Sequence, residues 1–291
     1  VEPQMAVDAK IQQLSADRST ASLPATIQHS ALYQPVGPLV DANRGILEFA
    51  DFLKRPVEAF KYLLSTVETS TVTMDSFVLH IDLIYIGSTN ETYLEAFKQH
   101  PDFASFKGRL ELIRVPYLRH LGLEKEIYAS TITERVVGKH IAPHAIEMAA
   151  LWAVMTRLKA FDMEPVETSM KEAVKSLSPY EKLKLYDQGQ VPERFSTREA
   201  KELRHLIPIF YETSMQDRDY EGMLGASARE IRTLLLNAAN HTGFNCLSPQ
   251  AVFEEIEHLL DNKAFYAFLN AEVENGFFDH RAFLDEVRSS Y

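Results

Sequence analysis

Glu48 is a carboxylate set inside an apolar run, Gly45-Ile46-Leu47-Glu48-Phe49-Ala50. A charge there is costly unless something compensates it. A magnesium ion held together with a nucleotide would do so, as would a water being activated for attack on a phosphoryl group. The plainer reading places Glu48 on an exposed strand edge or at a helix cap. Asp51, three residues on, offers a second carboxylate to a metal, or simply caps the helix that follows.

Three further side chains have the right chemistry for phosphates. Asn90 follows the apolar run Leu83-Ile84-Tyr85-Ile86-Gly87-Ser88. At the carboxyl end of a strand its neutral amide can hold a water or a γ-phosphate oxygen. It can equally cap the helix that opens at Glu91. Arg109 precedes Leu110-Glu111-Leu112-Ile113-Arg114-Val115-Pro116, where a guanidinium can stabilise a phosphoryl group in flight, or be an ordinary surface arginine. Arg229 falls in the first turn of a helix predicted over 227–242. A cation there opposes the helix dipole by about 0.3–1 kcal/mol unless an anion is near. Arg232 can assist it, and a local pair with Glu230 or Asp219 is the alternative.

Other chemistry is missing from the sequence. No G-x-x-x-x-G-K-[ST] phosphate loop occurs, and neither do the H-R-D or D-F-G signatures. His140 and His144 are interrupted by Pro143 and have no third ligand nearby, which argues against a metal. Cys246 reads as a small buried residue and Trp152 as core.

These residues need elements to position them. Residues 5–15 read as a short helix and 16–44 as loop. Strands are expected at 45–50, at 83–88 with helices over both faces, and at 110–116; a hairpin is expected around 71–83. A helix opens at Pro56, with Val57, Phe60, Leu63, Leu64 and Val67 on one face. Beyond residue 118 the pattern is helical: 122–136, 143–160, short pieces broken by Pro165, Pro179, Pro192 and Pro208, then 227–242 behind a Ser227/Glu230 capping box. Ser248-Pro249 opens another helix, and Phe283, Leu284 and Val287 mark the last. The fold class expected is therefore α/β followed by all-α.

Composition bounds the class. The 291 residues are 46% hydrophobic and 24% charged, ample for a core. A net charge of -11 disfavours nucleic acid and anionic membranes as partners. No apolar run approaches the roughly 20 residues that span a bilayer. A single cysteine and no signal peptide fit a cytoplasmic protein. Val1 opens in a polar stretch and Tyr291 follows a helical pattern directly, so both ends read as cuts through a longer polypeptide.

The order of the pieces resembles that of AAA-plus ATPases: Walker B, sensor 1, arginine finger, then sensor 2 on a helical lid. The wording is similar to that of the PrkA-type serine protein kinase family. Asp41-Ala42-Asn43-Arg44-Gly45-Ile46-Leu47-Glu48-Phe49 with Phe52-Leu53-Lys54-Arg55-Pro56 resembles its Walker B segment, and Gly87-Ser88-Thr89-Asn90-Glu91 its sensor 1. Arg109 through Tyr117 resembles its finger-bearing strand, Ala142-Pro143 through Lys159 its first lid helices, and Glu221-Gly222-Met223 with Gly225-Ala226-Ser227-Ala228-Arg229 its sensor 2. The resemblance covers most of residues 35–260. It departs from the common Asp-Glu pair, having Ala50 and Asp51 there, so that Glu48 and Asp51 share the work. The phosphate loop is expected upstream of Val1.

The resemblance implies the rear half of an AAA-plus-like parallel sheet over 1–118, a helical lid with sensor 2 over 119–242, and the start of a further helical region over 243–291. It implies ATP and Mg as cofactors, with Glu48 and Asp51 at the metal, Asn90 and Arg229 at the nucleotide, and Glu48, Asp51, Asn90 and Arg109 catalytic. It also implies a homo-oligomer with nucleotide at the subunit interface and an unknown protein substrate. The other reading is a nucleotide-incompetent scaffold or regulatory module of the same fold.

Overall fold

Alternating burial shapes the first strand of the functional region. In β3 (Ile46–Phe49), Leu47 and Phe49 point into a core while Ile46 and Glu48 face out. Its partner is β6 (Ile84–Gly87), parallel and in register, with Ile46 opposite Ile84 and Glu48 opposite Ile86. In this computed structural model residues 10–13, 24, 33–57, 60–74, 77–216 and 219–291 are described. The chain divides into two units, Val1–Ile113 and Arg114–Tyr291.

The first unit is α/β. β1 (Lys10–Gln13) pairs antiparallel with β2 (Tyr33–Val36), and α1 (Pro38–Asp41) leads towards β3. A 3-10 turn at Phe52–Lys54 precedes α2 (Lys61–Thr69). β4 (Thr71–Met74) and β5 (Phe77–His80) form the expected hairpin. After β6 come α3 (Glu91–Lys98) and α4 (Phe103–Lys107). Aromatic rings fill the core: Phe52 lies 4.3 Å from Phe60, and Phe97 lies 5.0 Å from Phe106, between ring centroids. The Asn43-Arg44-Gly45 turn sets the register of the parallel pair. Asn43 Oδ1 accepts from the Asp82 N–H at 2.9 Å, and the Arg44 N–H donates to the Asp82 carbonyl at 2.5 Å.

Four expectations are corrected in or beside this unit. The described part of the helix expected at 5–15 is strand β1, and the rest of that segment lies outside the described residues. The loop expected at 16–44 contains β2 and α1. No strand forms over 110–116, because an apolar run supplies the capacity to pair but not a partner. Finally, β6 is not covered on both faces: Ile84 is 62% and Ile86 50% exposed, beside Ile46 at 61%.

The second unit is helical, and among its described residues only isolated β-bridges break the pattern. Its helices are α5 (Leu121–Thr131), α6 (Glu134–Val137), α7 (Ala145–Met155), α8 (Lys171–Lys175), α9 (Pro179–Gln188), α10 (Thr197–Thr213), α11 (Ala228–Asn240), α12 (Pro249–Asp261) and α13 (His280–Ser290). α7 is buried over nearly its whole surface and forms the spine, packed by α5, α11, α12 and α13. Trp152 on α7 is fully buried, as expected, and donates its indole N–H to the His280 carbonyl at 3.3 Å. Capping boxes open α9, α10 and α11 through Ser178/Glu181, Ser196/Glu199 and Ser227/Glu230. Pro208 does not break the chain as expected but lies inside α10. It forgoes one backbone hydrogen bond, and the amphipathic packing through Leu203, Leu206 and Phe210 carries the helix past it.

Candidate functional site

The parallel pair brings Glu48, Asp51 and Asn90 to one end of one ribbon. The Ser88 N–H donates to the Phe49 carbonyl at 3.1 Å, and the Phe52 N–H donates to the Ser88 carbonyl at 2.9 Å. These bonds lock the carboxyl ends of β3 and β6 together. Carboxyl ends of parallel strands are where open α/β sheets collect ligands. Glu48 is exposed on the open face, beside Ile46, Ile84 and Ile86.

Asp51 adopts a left-handed backbone conformation with φ 49°, and its carboxylate accepts from Lys54 Nζ at 2.8 Å. Asn90 is the N-cap of α3: its Oδ1 accepts from the Tyr93 N–H at 3.2 Å. That leaves the amide nitrogen of an exposed side chain for a ligand. Magnesium needs only one or two carboxylates when phosphates and waters fill the remaining positions. Glu48 and Asp51, at the end of the ribbon, fit that sparse demand. Among the described residues no group of three or more His, Cys, Asp or Glu side chains could hold a metal. His140 and His144 instead pair with Glu134 at 2.7 Å and with Glu147 at 3.0 Å.

Arg109 follows α4 rather than entering a strand. Its Nε and Nη2 donate to Glu68 Oε2 at 2.9 and 2.7 Å, and its Nη1 donates to the Ser105 carbonyl at 2.8 Å. Both partners of the ion pair are solvent-accessible, so the arginine can be released at little cost.

Arg229 belongs to the second unit, at the second position of α11. It is exposed and makes no ion pair with a described residue. Glu230, one of its suggested partners, is engaged in the capping box, accepting from the Ser227 N–H at 2.6 Å.

Two buried polar nodes anchor the loop that leads to Arg229. In one, Glu221 accepts from Arg119 Nη1 at 3.0 Å, Lys182 Nζ at 2.5 Å and the Lys159 N–H at 2.9 Å. Burial lowers the Lys182 pKa from the ordinary lysine value, and the Glu221 carboxylate opposes that shift. In the other, Arg157 Nη2 donates to Glu124 Oε1 at 2.6 Å, while Tyr128 also donates to that carboxylate. Burial, then Glu124, push the Tyr128 hydroxyl well above the ordinary tyrosine range. Arg157 and Glu221 fall inside segments that resemble the family's lid helices and sensor 2, but nothing in motif or spacing marks them, or Arg119, Glu124 and Lys182, as buried charges. The available signal was Arg157, two residues beyond the apolar run Ala145–Met155.

Comparison with known proteins decides the family. Residues 22–164 match the model of the PrkA AAA domain, and residues 180–291 match that of the PrkA serine protein kinase C-terminal domain. The chain belongs to the PrkA family. It is similar to ATP-dependent protease PrkA of Bacillus subtilis (strain 168): 26% identical over 249 residues, 85% of this chain and 36% of that protein. It is also similar to serine/threonine kinase YeaG of Escherichia coli (strain K12): 24% identical over 237 residues, 79% of this chain and 33% of that protein. The chain thus spans about a third of the length of these curated relatives. No solved structure matches it significantly.

On this PrkA chain, Glu48, Asp51, Asn90 and Arg109 fall within the AAA match, whereas Arg229 falls within the C-terminal match. Among the described residues no helix is long and apolar enough to cross a membrane.

Proposed function

We propose that this chain is part of an ATP-hydrolysing AAA-type protein that binds Mg-ATP at a boundary between two copies of itself. The observation that carries the reading is the locked end of the β3–β6 ribbon, which holds Glu48, Asp51 and Asn90 together inside the region matched by the PrkA AAA domain. Glu48 and Asp51 would hold magnesium, which supplies charge neutralisation on the phosphates when bound. Glu48 acts as acceptor for the proton of the attacking water. Asn90 keeps its carbonyl on the α3 cap and donates its amide N–H to a phosphate oxygen or the water. Arg109 leaves Glu68 to stabilise the phosphoryl group on a neighbouring copy. Arg229 meets the nucleotide of its own copy from a helical lid.

The relatives' names point to different acts on protein, proteolysis in one and phosphorylation of serine or threonine in the other. Consumption of a nucleoside triphosphate is the reading taken from both, and serine phosphorylation of a protein substrate is its extension.

In the full natural polypeptide, Glu48→Gln is expected to abolish turnover while leaving Mg-ATP affinity largely intact. Steady-state hydrolysis beside calorimetry checks this, and unchanged turnover would remove Glu48 from the site. Mixing inactive Arg109→Ala and Glu48→Gln polypeptides is expected to restore part of the turnover. No recovery in oligomers shown to be mixed defeats the assignment of Arg109 to a neighbour.

A second reading, a nucleotide-incompetent scaffold, draws on the ion pairs that already occupy Asp51 and Arg109. It expects no Mg-ATP binding in the full polypeptide, so the same calorimetry separates the two readings.

A further inference from the structure

The peptide at Ala226 is held at both polar groups by side chains from the end of α7. Its N–H donates to Thr156 Oγ1 at 2.9 Å, and its carbonyl accepts from Arg157 Nε at 2.9 Å. Thr156 is itself oriented, because its hydroxyl donates to the Ala153 carbonyl at 2.6 Å. Arg157 is oriented too, with Nη1 on the Leu118 carbonyl at 2.9 Å and Nη2 on Glu124 at 2.6 Å. Both residues are fully buried.

Upstream, the Gly222 N–H donates to the Arg157 carbonyl at 3.1 Å, and the Gly222 carbonyl accepts from the Tyr117 N–H at 2.8 Å. Gly225, with φ 131°, packs so closely that a Cβ would lie 2.5 Å from Arg157 Cγ. Downstream, Ser227 is already the N-cap of α11, its geometry closed by the capping box with Glu230. Between the clamped peptide and Arg229 the backbone therefore has no slack. Arg229 is exposed and makes no ion pair with a described residue, so the point from which its side chain departs is set by this backbone and by no side-chain contact.

We propose that Thr156 and Arg157 are positioning residues for Arg229: by clamping the Ala226 peptide they fix the first turn of α11, from which Arg229 contacts nucleotide phosphate. This rests on the nucleotide reading of Arg229 given above. Both residues lie inside the AAA match, and the loop they hold lies in the C-terminal match. The clamp thus ties the first turn of α11 to the end of a helix in the other matched region.

The test uses the full natural polypeptide and steady-state ATP hydrolysis, with thermal unfolding of every variant. Arg229→Ala is expected to raise the KM for ATP about tenfold, the scale of one charge-assisted contact. Thr156→Val keeps the shape but strands the Ala226 N–H. It is expected to raise KM about fivefold with a smaller change in kcat. Thr156→Ser, which retains the hydroxyl, is expected to stay within about twofold of the parent. In the Arg229→Ala background, Thr156→Val is expected to add nothing further to KM although it still lowers the Tm.

Equal KM effects of Thr156→Val in both backgrounds would show a merely structural residue and overturn the proposal. Parental kinetics for Thr156→Val would do the same. Parental kinetics for Arg229→Ala would instead overturn the nucleotide reading of Arg229, and the proposal with it. Arg157→Gln, which also strands Glu124, is read alongside. Should it fail to fold, the two Thr156 variants still decide.

Discussion

Glu221 is the sole carboxylate of a node that holds two buried cations, and its removal should be felt throughout the second unit. The side chains of Arg119, Lys182 and Glu221 are 7%, 2% and 1% exposed. Glu221→Gln preserves shape and an acceptor for the Lys159 N–H but deletes the charge. Breaking a buried pair by removing one partner costs about 3–5 kcal/mol, because the remaining charge is left uncompensated. At about 2–4 °C per kcal/mol for a unit of this size, the Tm should fall by about 6–20 °C.

Urea unfolding of the 291-residue chain followed by tryptophan fluorescence measures the loss directly. Trp152, the single tryptophan, is buried in α7 and reports on this unit alone. The pH dependence supplies a second check. Burial already lowers the folded pKa of Lys182, with Glu221 opposing. The unfolded chain therefore binds more protons between the folded pKa and the unfolded value of about 10.4, and stability rises with pH across that window. Without Glu221 the folded pKa drops further and the window opens at lower pH. The deficit of Glu221→Gln should then shrink as pH climbs towards about 10. A loss under about 1 kcal/mol at neutral pH, or a deficit that does not change with pH, would refute the argument that this carboxylate compensates both cations.

Three other outcomes are expected. Gly225→Ala should destabilise the chain by about 1–3 kcal/mol or more, since it combines an unfavourable φ with a clash against Arg157; urea unfolding reads this, and neutrality would mean the loop relaxes freely. Arg109→Ala should cost under about 1 kcal/mol in stability, because the pair with Glu68 is solvent-accessible; a larger loss in the same assay would make the arginine structural. His280 is kept neutral by burial, which lowers its pKa, while its Nε2–H donates to the Phe268 carbonyl at 3.1 Å. Stability should therefore fall as pH drops below the unfolded histidine value of about 6.5, and His280→Gln should flatten that slope in denaturation curves taken between about pH 7 and 5.

The parallel pair was legible because a glycine and an apolar run announce a strand, and parallel strands tolerate apolar residues on both faces. The same logic misled at 110–116. Leu112, Ile113 and Val115 read as a third strand, yet all three are exposed in irregular backbone. Periodicity reports what a segment can bury, not whether a neighbour is there to bury it. Helix starts with a local cap were the most legible feature, as at Ser227/Glu230 and Ser248-Pro249, whereas the helix expected to open at Pro56 begins at Lys61. The polar nodes were not legible. Glu124, Arg157, Lys182 and Glu221 are ordinary charged residues in sequence, and only long-range packing buries them. Of the candidate site, the sequence supplied residue types and order, and the helix cap at Asn90 as one of that residue's two readings; that Arg109 rests on Glu68 is a contact that strand spacing cannot reveal.

The β3–β6 ribbon has a practical consequence for anyone who handles the first unit by itself. Its open face carries three isoleucines around one glutamate, and among the described residues both of its outer edges lack a hydrogen-bonded strand. Exposed edges with apolar side chains recruit further strands from whatever chain is nearby. A polypeptide ending near Ile113 should therefore precipitate or form soluble aggregates as its concentration rises. Within the two strands Glu48 is the one charged residue, so the Glu48→Gln variant designed to test catalysis should also be the less soluble of the two.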